Sequence, residues 1–413
     1  MHLGHFLLAL SRFTASLQPM HQPNPHDLSS RALLPDLIRC AALIGIVIIN
    51  VGAFSWPLEL AYTQAPSSLF DISVEAVTTT LFMTKAYSLF SLMFGVGLAY
   101  QIRSAENQGK SPSWRHYRRI AGLIILGGLH ASFLFLGDVL IMYAIVGLFF
   151  YGFIKLEAST LIKIGIGLIF FQIILLLATS GIIALTENAP PSEDIASIED
   201  ETLENIAAAF AAFGEGTFMQ ATAFRASHIG LIAATVMFQG FNILGYFLLG
   251  FALAKKGFIN TPAAPFWGMC RRLAFPIGLL GSALGAYVKM SAPAPFSSSG
   301  MLGYSILTAF APFLALGYAG WIAKYAAGPA GPLKSFLARA GTATLSAYIL
   351  QSVCLSLIFS AYGLDLYGKF GAATSTAIGL GVGVFSLMAV SLWRTRFARG
   401  PLEMLLRRWT YLG

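Results

Sequence analysis

What most limits how this chain can fold is a succession of apolar runs, several of them longer than the ~20 residues that carry a helix across a bilayer core. No charged residue interrupts 229–254, for example. Only 11% of residues are charged and 56% are hydrophobic, whereas a soluble domain carries about 25% charge. That balance excludes a soluble enzyme, a disordered chain and a scaffold built on disulfides. The runs do not alternate, which excludes a membrane β-barrel. The expected fold is all-α: a polytopic integral membrane protein of about ten transmembrane helices. They are expected near 34–54, 76–101, 119–136, 138–154, 161–185, 229–254, 272–290, 301–323, 341–361 and 374–394.

Charge orients these spans. Basic residues gather at Arg31 and Arg39, over Arg103–Arg119, at Lys155, Lys163, Lys255, Lys256, Arg271, Arg272, Lys324, Lys334 and Arg339, and from Arg394 to Arg408. All fall on one face of an alternating topology, and Lys and Arg mark the cytoplasmic face. Both termini are therefore expected in the cytoplasm: a polar segment over 1–30, with Met20 as an alternative start, and a basic tail over 395–413. The formal charge of +8 follows from this asymmetry, and no nucleic-acid motif accompanies it. Cys40, Cys270 and Cys354 lack metal-type spacing and read as free thiols, so no metal is expected.

Between the halves 31–185 and 229–394, each expected to hold five helices, lies an acidic outer loop over 186–228 that opens with Pro190–Pro191. Leu203, Ile206, Phe210 and Phe213 recur at helical spacing, which predicts an amphipathic helix at the outer surface. It either caps a site that opens outward or serves as a solvated connector. A short repeat links the halves: Phe90–Ala99 (FSLMFGVGLA) and Gly245–Ala254 (GYFLLGFALA) each end an inward-running span.

Ionisable groups inside a span are costly and default to a functional reading. His130 lies in the third expected span, about 10 Å below a turn at Gly137–Asp138 by helical rise. Imidazole is suited to take and return a proton near neutral pH, and Asp138 becomes its partner if the chain folds back at Gly137. The alternative is a histidine bonded to a neighbouring backbone carbonyl. His228, beside Ser227, is expected at the interface. In the first span Asp36 and Arg39 are adjacent on a helix, and Asn50, eleven residues beyond Arg39, returns to within about 20° of the same face. This stripe is either functional or a structural ion pair. Lys85 in the second span either acts chemically or snorkels to the interface. Ser346, Tyr348 and Gln351 in the ninth are either functional or interhelical hydrogen-bonders. No nucleophile-elbow, Walker or dinucleotide motif occurs in a plausible context.

Taken together, these residues resemble the YeiB-type bacterial membrane proteins, formally a family of unknown function. Pro35-Asp-Leu-Ile-Arg39 with Ile48-Ile-Asn50 resembles the family's opening. Lys85 to Gly97 resembles its second-span signature, and Leu129-His130-Ala with Gly137-Asp138-Val-Leu-Ile-Met-Tyr143-Ala its most distinctive segment. Gly341–Ser352 and Arg399-Gly-Pro401-Leu-Glu403 resemble its C-terminal portion, and the likeness runs over about 31–413. Cys40 stands where the family usually has glycine, and Ala347 where asparagine is common.

That family looks distantly related to transmembrane acyltransferases, among them the lysosomal enzyme that acetylates the terminal glucosamine of heparan sulfate. The resemblance implies transfer of an acyl group from cytosolic acyl-CoA, acetyl-CoA foremost, to a hydroxyl or amine on the outer side of a bacterial cytoplasmic (inner) membrane. His130 and Asp138 are then the catalytic candidates. Arg39, paired to Asp36, and Arg103, Arg115, Arg118 and Arg119 are candidates for the CoA phosphates. Asn50, Lys85, Tyr348 and Gln351 are candidates for the substrate or its oxyanion. The implied partners are membrane lipids, CoA or acyl-CoA and an outer acceptor (a sugar or small molecule); the residues leave open whether the chain forms a homodimer. Two other classes compete. One is a transporter or lipid-handling protein, with Pro276 and Pro312 interrupting spans seven and eight. The other is an assembly scaffold without chemistry.

Overall fold

The computed structural model describes residues 33–61, 68–187 and 193–411, side chains of 193–199 excepted. The segment expected over 1–30, Arg31 and the Pro190–Pro191 pair lie outside the described residues. All regular structure among the described residues is helical.

Helix α1 (Leu34–Ser55) opens with Pro35, whose fixed φ suits a helix start. Helices α2 (Leu69–Leu81) and α3 (Lys85–Glu106) follow one another as a single 38-residue segment. The joint is Thr84, held at φ 67°, a left-handed conformation uncommon for a β-branched residue; its hydroxyl donates to Leu307 O at 3.2 Å. Next come α4 (Pro112–Phe133), α5 (Leu140–Phe150) and α6 (Ala158–Glu187). Helices α7 (Glu193–Phe210) and α8 (Phe218–Ser227) precede α9 (Gly230–Lys255), α10 (Pro265–Met290) and α11 (Ser298–Ala327). The chain ends with α12 (Pro332–Gly341), α13 (Thr344–Phe359), α14 (Ala372–Arg396) and α15 (Pro401–Tyr411).

Among the described residues, seven segments are long and apolar enough to cross a membrane, or eight if α12 and α13, bent by 82° at their junction, count as one span. The expected ten are corrected in a definite place. The third and fourth become α4 and α5. Arg115, His116, Arg118 and Arg119 fill the first turns of α4, and the 11 residues of α5 rise only about 16 Å against a ~30 Å core. The two pack on each other as a hairpin. With α12 and α13 counted as one span, removing these two crossings leaves eight and the parity of the topology unchanged. The prolines are also corrected. Pro312 stays inside the continuous 30-residue α11, and Pro276 follows a π-helical stretch, Cys270–Ala274, within α10. The break falls instead at Thr342–Ala343.

Residues from Leu33 onward form one compact unit. Helix α1 packs against α3, α12, α13 and α14, and α9 against α3, α5 and α6, so the two sequence halves share faces. The repeat lies at one of those faces. A Cβ on Gly95 would sit 2.0 Å from Phe247 O, and one on Gly250 would sit 1.9 Å from Leu92 O. Both pairs exchange under a shift of 155 residues. Asn242 Nδ2 donates to the Tyr87 hydroxyl at 2.9 Å, again 155 apart, which requires α3 and α9 to run parallel. The two repeat segments thus cross one another with glycine at the closest approach, where any side chain would force the backbones apart.

The loop read as amphipathic forms α7, a π-helical turn over Ala211–Glu215, and α8. Leu203 is exposed, but Phe210 packs on Trp56 and Tyr367, and Phe218 stacks on Phe133 at the end of α4. This layer covers the ends of α4 and α13.

Candidate functional site

Helix α4 ends at Phe133, not 136, and Phe135 N–H bonds back to His130 O at 2.9 Å. The chain therefore doubles back early, and Asp138 comes level with His130 instead of standing 10 Å above it. One carboxylate serves two purposes. Its Oδ1 accepts the Ile141 N–H at 2.7 Å, capping α5. Its Oδ2 lies 2.7 Å from His130 Nδ1. Gly127 makes this possible, since a Cβ there would lie 2.8 Å from both Asp138 Oδ1 and Ile141 N. His130 and Asp138 are 2% and 5% exposed.

The other imidazole nitrogen, Nε2, is 2.8 Å from Ser352 Oγ on α13. A proton on Nδ1 donated to Asp138 leaves Nε2 as acceptor for the serine hydroxyl. Ser352 Oγ is also 3.3 Å from Tyr348 O, and the shorter contact takes its single proton. One turn earlier on α13, the Tyr348 ring lies 4.9 Å from the imidazole. Its hydroxyl is buried near Asp138 and the Val139 backbone without closing a hydrogen bond of good geometry. The result is an enclosed Ser352–His130–Asp138 chain with a tyrosine beside it.

Helix α13 is held in register from the far end. Beyond the bend, Glu403 of α15 accepts Leu345 N–H at 2.7 Å, Ser346 N–H at 3.2 Å and the Ser346 hydroxyl at 2.5 Å. A carboxylate at a helix N-terminus satisfies orphan donors and complements the dipole. Glu403→Ala is expected to destabilise the protein by about 1–3 kcal/mol, read as a lowered thermal midpoint in detergent or nanodiscs. An unchanged midpoint contradicts this role.

The cationic candidates separate into two sets. Arg39 Nη1 pairs with Asp36 at 3.0 Å, and Nη2 lies near Gly97 and 3.5 Å from Met93 O. Arg119 Nη1 donates to Gln101 at 3.0 Å and the Arg119 guanidinium is repelled by that of Arg39. Both arginines thus meet the 93–97–101 face of α3. Arg115 donates to Gln108 at 2.8 Å and lies 4.4 Å from the Tyr411 ring. Buried Arg119 Nε, Arg115 Nη1 and Gln101 Nε2 find no acceptor among the described residues. Arg118 turns away toward Trp114 and Trp409, and Arg103 is exposed at the end of α3. Arg119 and His130 are eleven residues apart on α4, about 16 Å and nearly in line. Packed apolar side chains, among them Leu43, Ile120, Leu123 and Leu140, fill the space between.

Of the remaining candidates, Gln351 bonds to Ser386 of α14 at 3.0 Å and so faces away from His130. Asn50 is half-buried on α1. Lys85 does not snorkel: it is fully buried, and its Nζ makes no hydrogen bond among the described residues. His228, at the end of α8, bonds to Phe224 O and Ser227. A cavity of about 50 Å³ lies between α1, α2 and α14, and an open groove between α12 and α14; His130 lines neither.

One turn further along α13, against α8, lies a second polar group. The Ser356 hydroxyl bonds to that of Tyr362, and Arg225 of α8 donates to Tyr362 Oη at 3.3 Å and to Phe133 O at 3.1 Å. Burial acts to raise the Tyr362 phenol's pKa, but hydrogen bonds from Ser356 and Ser360 and the Arg225 cation outweigh it and hold the phenol below its ordinary value. Ser352, Glu403, Gln101 and Arg225 were not among the sequence candidates. The one available signal was spacing: Tyr348, Ser352 and Ser356 recur every four residues, one face of a helix.

Residues 253–413 match the family described as "Protein of unknown function (DUF418)". The chain is 26% identical to Uncharacterized protein YxaH of Bacillus subtilis over 417 residues, covering 95% of this chain and 98% of that one. It is 25% identical to Uncharacterized protein YeiB of Escherichia coli over 400 residues, 91% and 95% of the two chains. No solved structure matches. These likenesses support the YeiB-type assignment and name no activity.

Proposed function

We propose that this YeiB-type membrane protein is an acyltransferase, moving an acyl group from cytosolic acyl-CoA, acetyl-CoA foremost, to a hydroxyl or amine at the outer side of a bacterial inner membrane. The observation that carries the reading is the buried imidazole held between Asp138 and a hydroxyl. A carboxylate on Nδ1 fixes the tautomer and stabilises the imidazolium that forms when Nε2 takes a proton. Whichever hydroxyl or amine attacks the thioester carbonyl gives its proton to Nε2, and the proton passes to the departing thiolate. The Tyr348 hydroxyl, on a ring 4.9 Å from the imidazole and without a hydrogen-bond partner among the described residues, is the donor assigned to the oxyanion. Arg39, Arg119 and Arg115 bind the CoA phosphates, an anion that would satisfy the buried Arg119 Nε and Arg115 Nη1. The pantetheine arm then runs along α4, displacing the apolar side chains between Arg119 and His130.

The orientation belongs to the proposal: both termini and the Arg119 end face the cytoplasm, and α7–α8 face outward. With native cysteines replaced, an impermeant thiol reagent added outside is expected to label Ile195→Cys and not Pro112→Cys. The reverse pattern contradicts the orientation.

A transporter is the second reading, favoured by the 82° break between α12 and α13. Protein in nanodiscs, given acetyl-CoA and glucosamine as a probe acceptor with both amine and hydroxyls, tests the first against it. Acetylated glucosamine formed with an equal amount of free CoA supports the acyltransferase; no product above a protein-free control counts against it.

A further inference from the structure

We propose that Ser352 is a nucleophile that carries the acyl group as a covalent ester between donor and acceptor, an inference that rests on the acyl-transfer reading. His130 alone, acting as base for an incoming acceptor, has no need of a protein hydroxyl on its Nε2. Yet that position is occupied by Ser352 Oγ at 2.8 Å, on a side chain 1% exposed, while Nδ1 is fixed by Asp138 at 2.7 Å. Nucleophile, base and orienting acid are in hydrogen-bond contact in that order, the arrangement that activates a serine.

The rest of α13 gives the serine a reason to act. Ser352 faces α4, along which the Arg119 end is about 16 Å away. One turn on, Ser356 joins Tyr362 and Arg225 beneath α8. The serine therefore stands between the donor's proposed path on one side and the Ser356–Tyr362 hydroxyl pair beneath α8 on the other. A covalent carrier lets CoA leave inward before the acceptor enters, so the two substrates need never share the enclosed site.

The steps balance without another reagent. Ser352 Oγ attacks the thioester carbonyl as its proton moves to His130 Nε2. The C–S bond breaks, and the thiolate takes that proton and leaves as CoA. The acceptor then attacks the Ser352 ester, giving its proton to Nε2. The C–O bond to Ser352 breaks, and the proton returns to Oγ.

The test uses full-length protein in nanodiscs. With radiolabelled acetyl-CoA and no acceptor, the acetyl group is expected on the peptide containing Ser352. Ser352→Cys is expected to retain it as a thioester, and Ser352→Ala to lose both label and transfer as completely as His130→Ala does. A fluorophosphonate probe is expected to label Ser352, and not to label it in His130→Ala. This arm needs no acyl-CoA: labelling by the probe in protein that does not bind acyl-CoA leaves the nucleophile standing and removes the donor. Ser352→Ala that still transfers acetyl at the wild-type rate overturns the covalent role and leaves the acyltransferase intact. Folded protein labelled at Ser352 by neither reagent also overturns it.

Discussion

His130→Ala is expected to lower acyl transfer by about 10²–10⁴-fold, the contribution of a positioned acid–base group, while CoA binding persists. The imidazole touches Asp138 and Ser352 and lies about 16 Å along α4 from Arg119, so its removal leaves the CoA contacts in place. Stability falls as well, because Asp138 Oδ2 loses its buried partner, by about 1–3 kcal/mol. That fall alone is what a structural histidine would also give. Transfer by protein still folded at the assay temperature is what separates the two roles. Asp138→Asn sharpens the comparison. Its side-chain oxygen can still cap α5, but an amide N–H facing Nδ1 favours the tautomer in which Nε2 carries the proton and cannot act as base. If His130→Ala and Asp138→Asn both melt lower yet transfer at wild-type rates, the pair is structural.

Coenzyme A is expected to raise the thermal stability of the wild-type protein, by about 2.7 kcal/mol at a concentration 100-fold above Kd. Arg119→Ala is expected to weaken this binding by about 10–100-fold, the loss of one charge-assisted contact worth about 1.5–3 kcal/mol. Arg39→Ala tests the same site less cleanly, since it also breaks the ion pair with the buried Asp36 carboxylate. Arg118→Ala is the internal control: its guanidinium faces Trp114 and Trp409 on a different face of α4, and its loss is expected to change CoA affinity little. Equal effects at 118 and 119 would mean that nonspecific surface charge, not a site, binds the phosphates.

The membrane class and most spans were legible because long apolar runs report on the solvent directly. The α4–α5 hairpin was overcounted for a related reason. Ile120–Leu129 and Val139–Phe150 are each apolar, but their hydropathy does not show that α5 is too short to cross or that four ionisable groups weight the start of α4. The pairing of His130 with Asp138 was foreseeable from the glycine between them, although the level at which they meet depends on where α4 unwinds. For Ser352 the sequence offers only its four-residue spacing from Tyr348 and Ser356, which does not reveal a partner. A serine in an apolar helix ordinarily bonds to the carbonyl four residues back, and its sequence gives no sign of a histidine 222 positions away. The pattern of arginines marked one end of the molecule but not which guanidiniums converge. Arg118 and Arg119 are neighbours in sequence but diverge by about 100° on the helix, so that one meets Trp114 and Trp409 and the other Gln101. Glu403 was quoted within a C-terminal motif, yet its role as the cap of α13 appears only once α15 folds under the bend.

The measurement that bears most directly on the account is a cryo-EM structure of the full chain in nanodiscs with acetyl-CoA at saturating concentration and Ser352 replaced by alanine to prevent turnover. The account predicts CoA phosphates on Arg39 and Arg119, the apolar side chains along α4 displaced, and the thioester carbonyl about 3–4 Å from the place vacated by Ser352 Oγ, beside His130 Nε2. A well-resolved protein with no bound CoA, or with its thioester held away from His130, would contradict it.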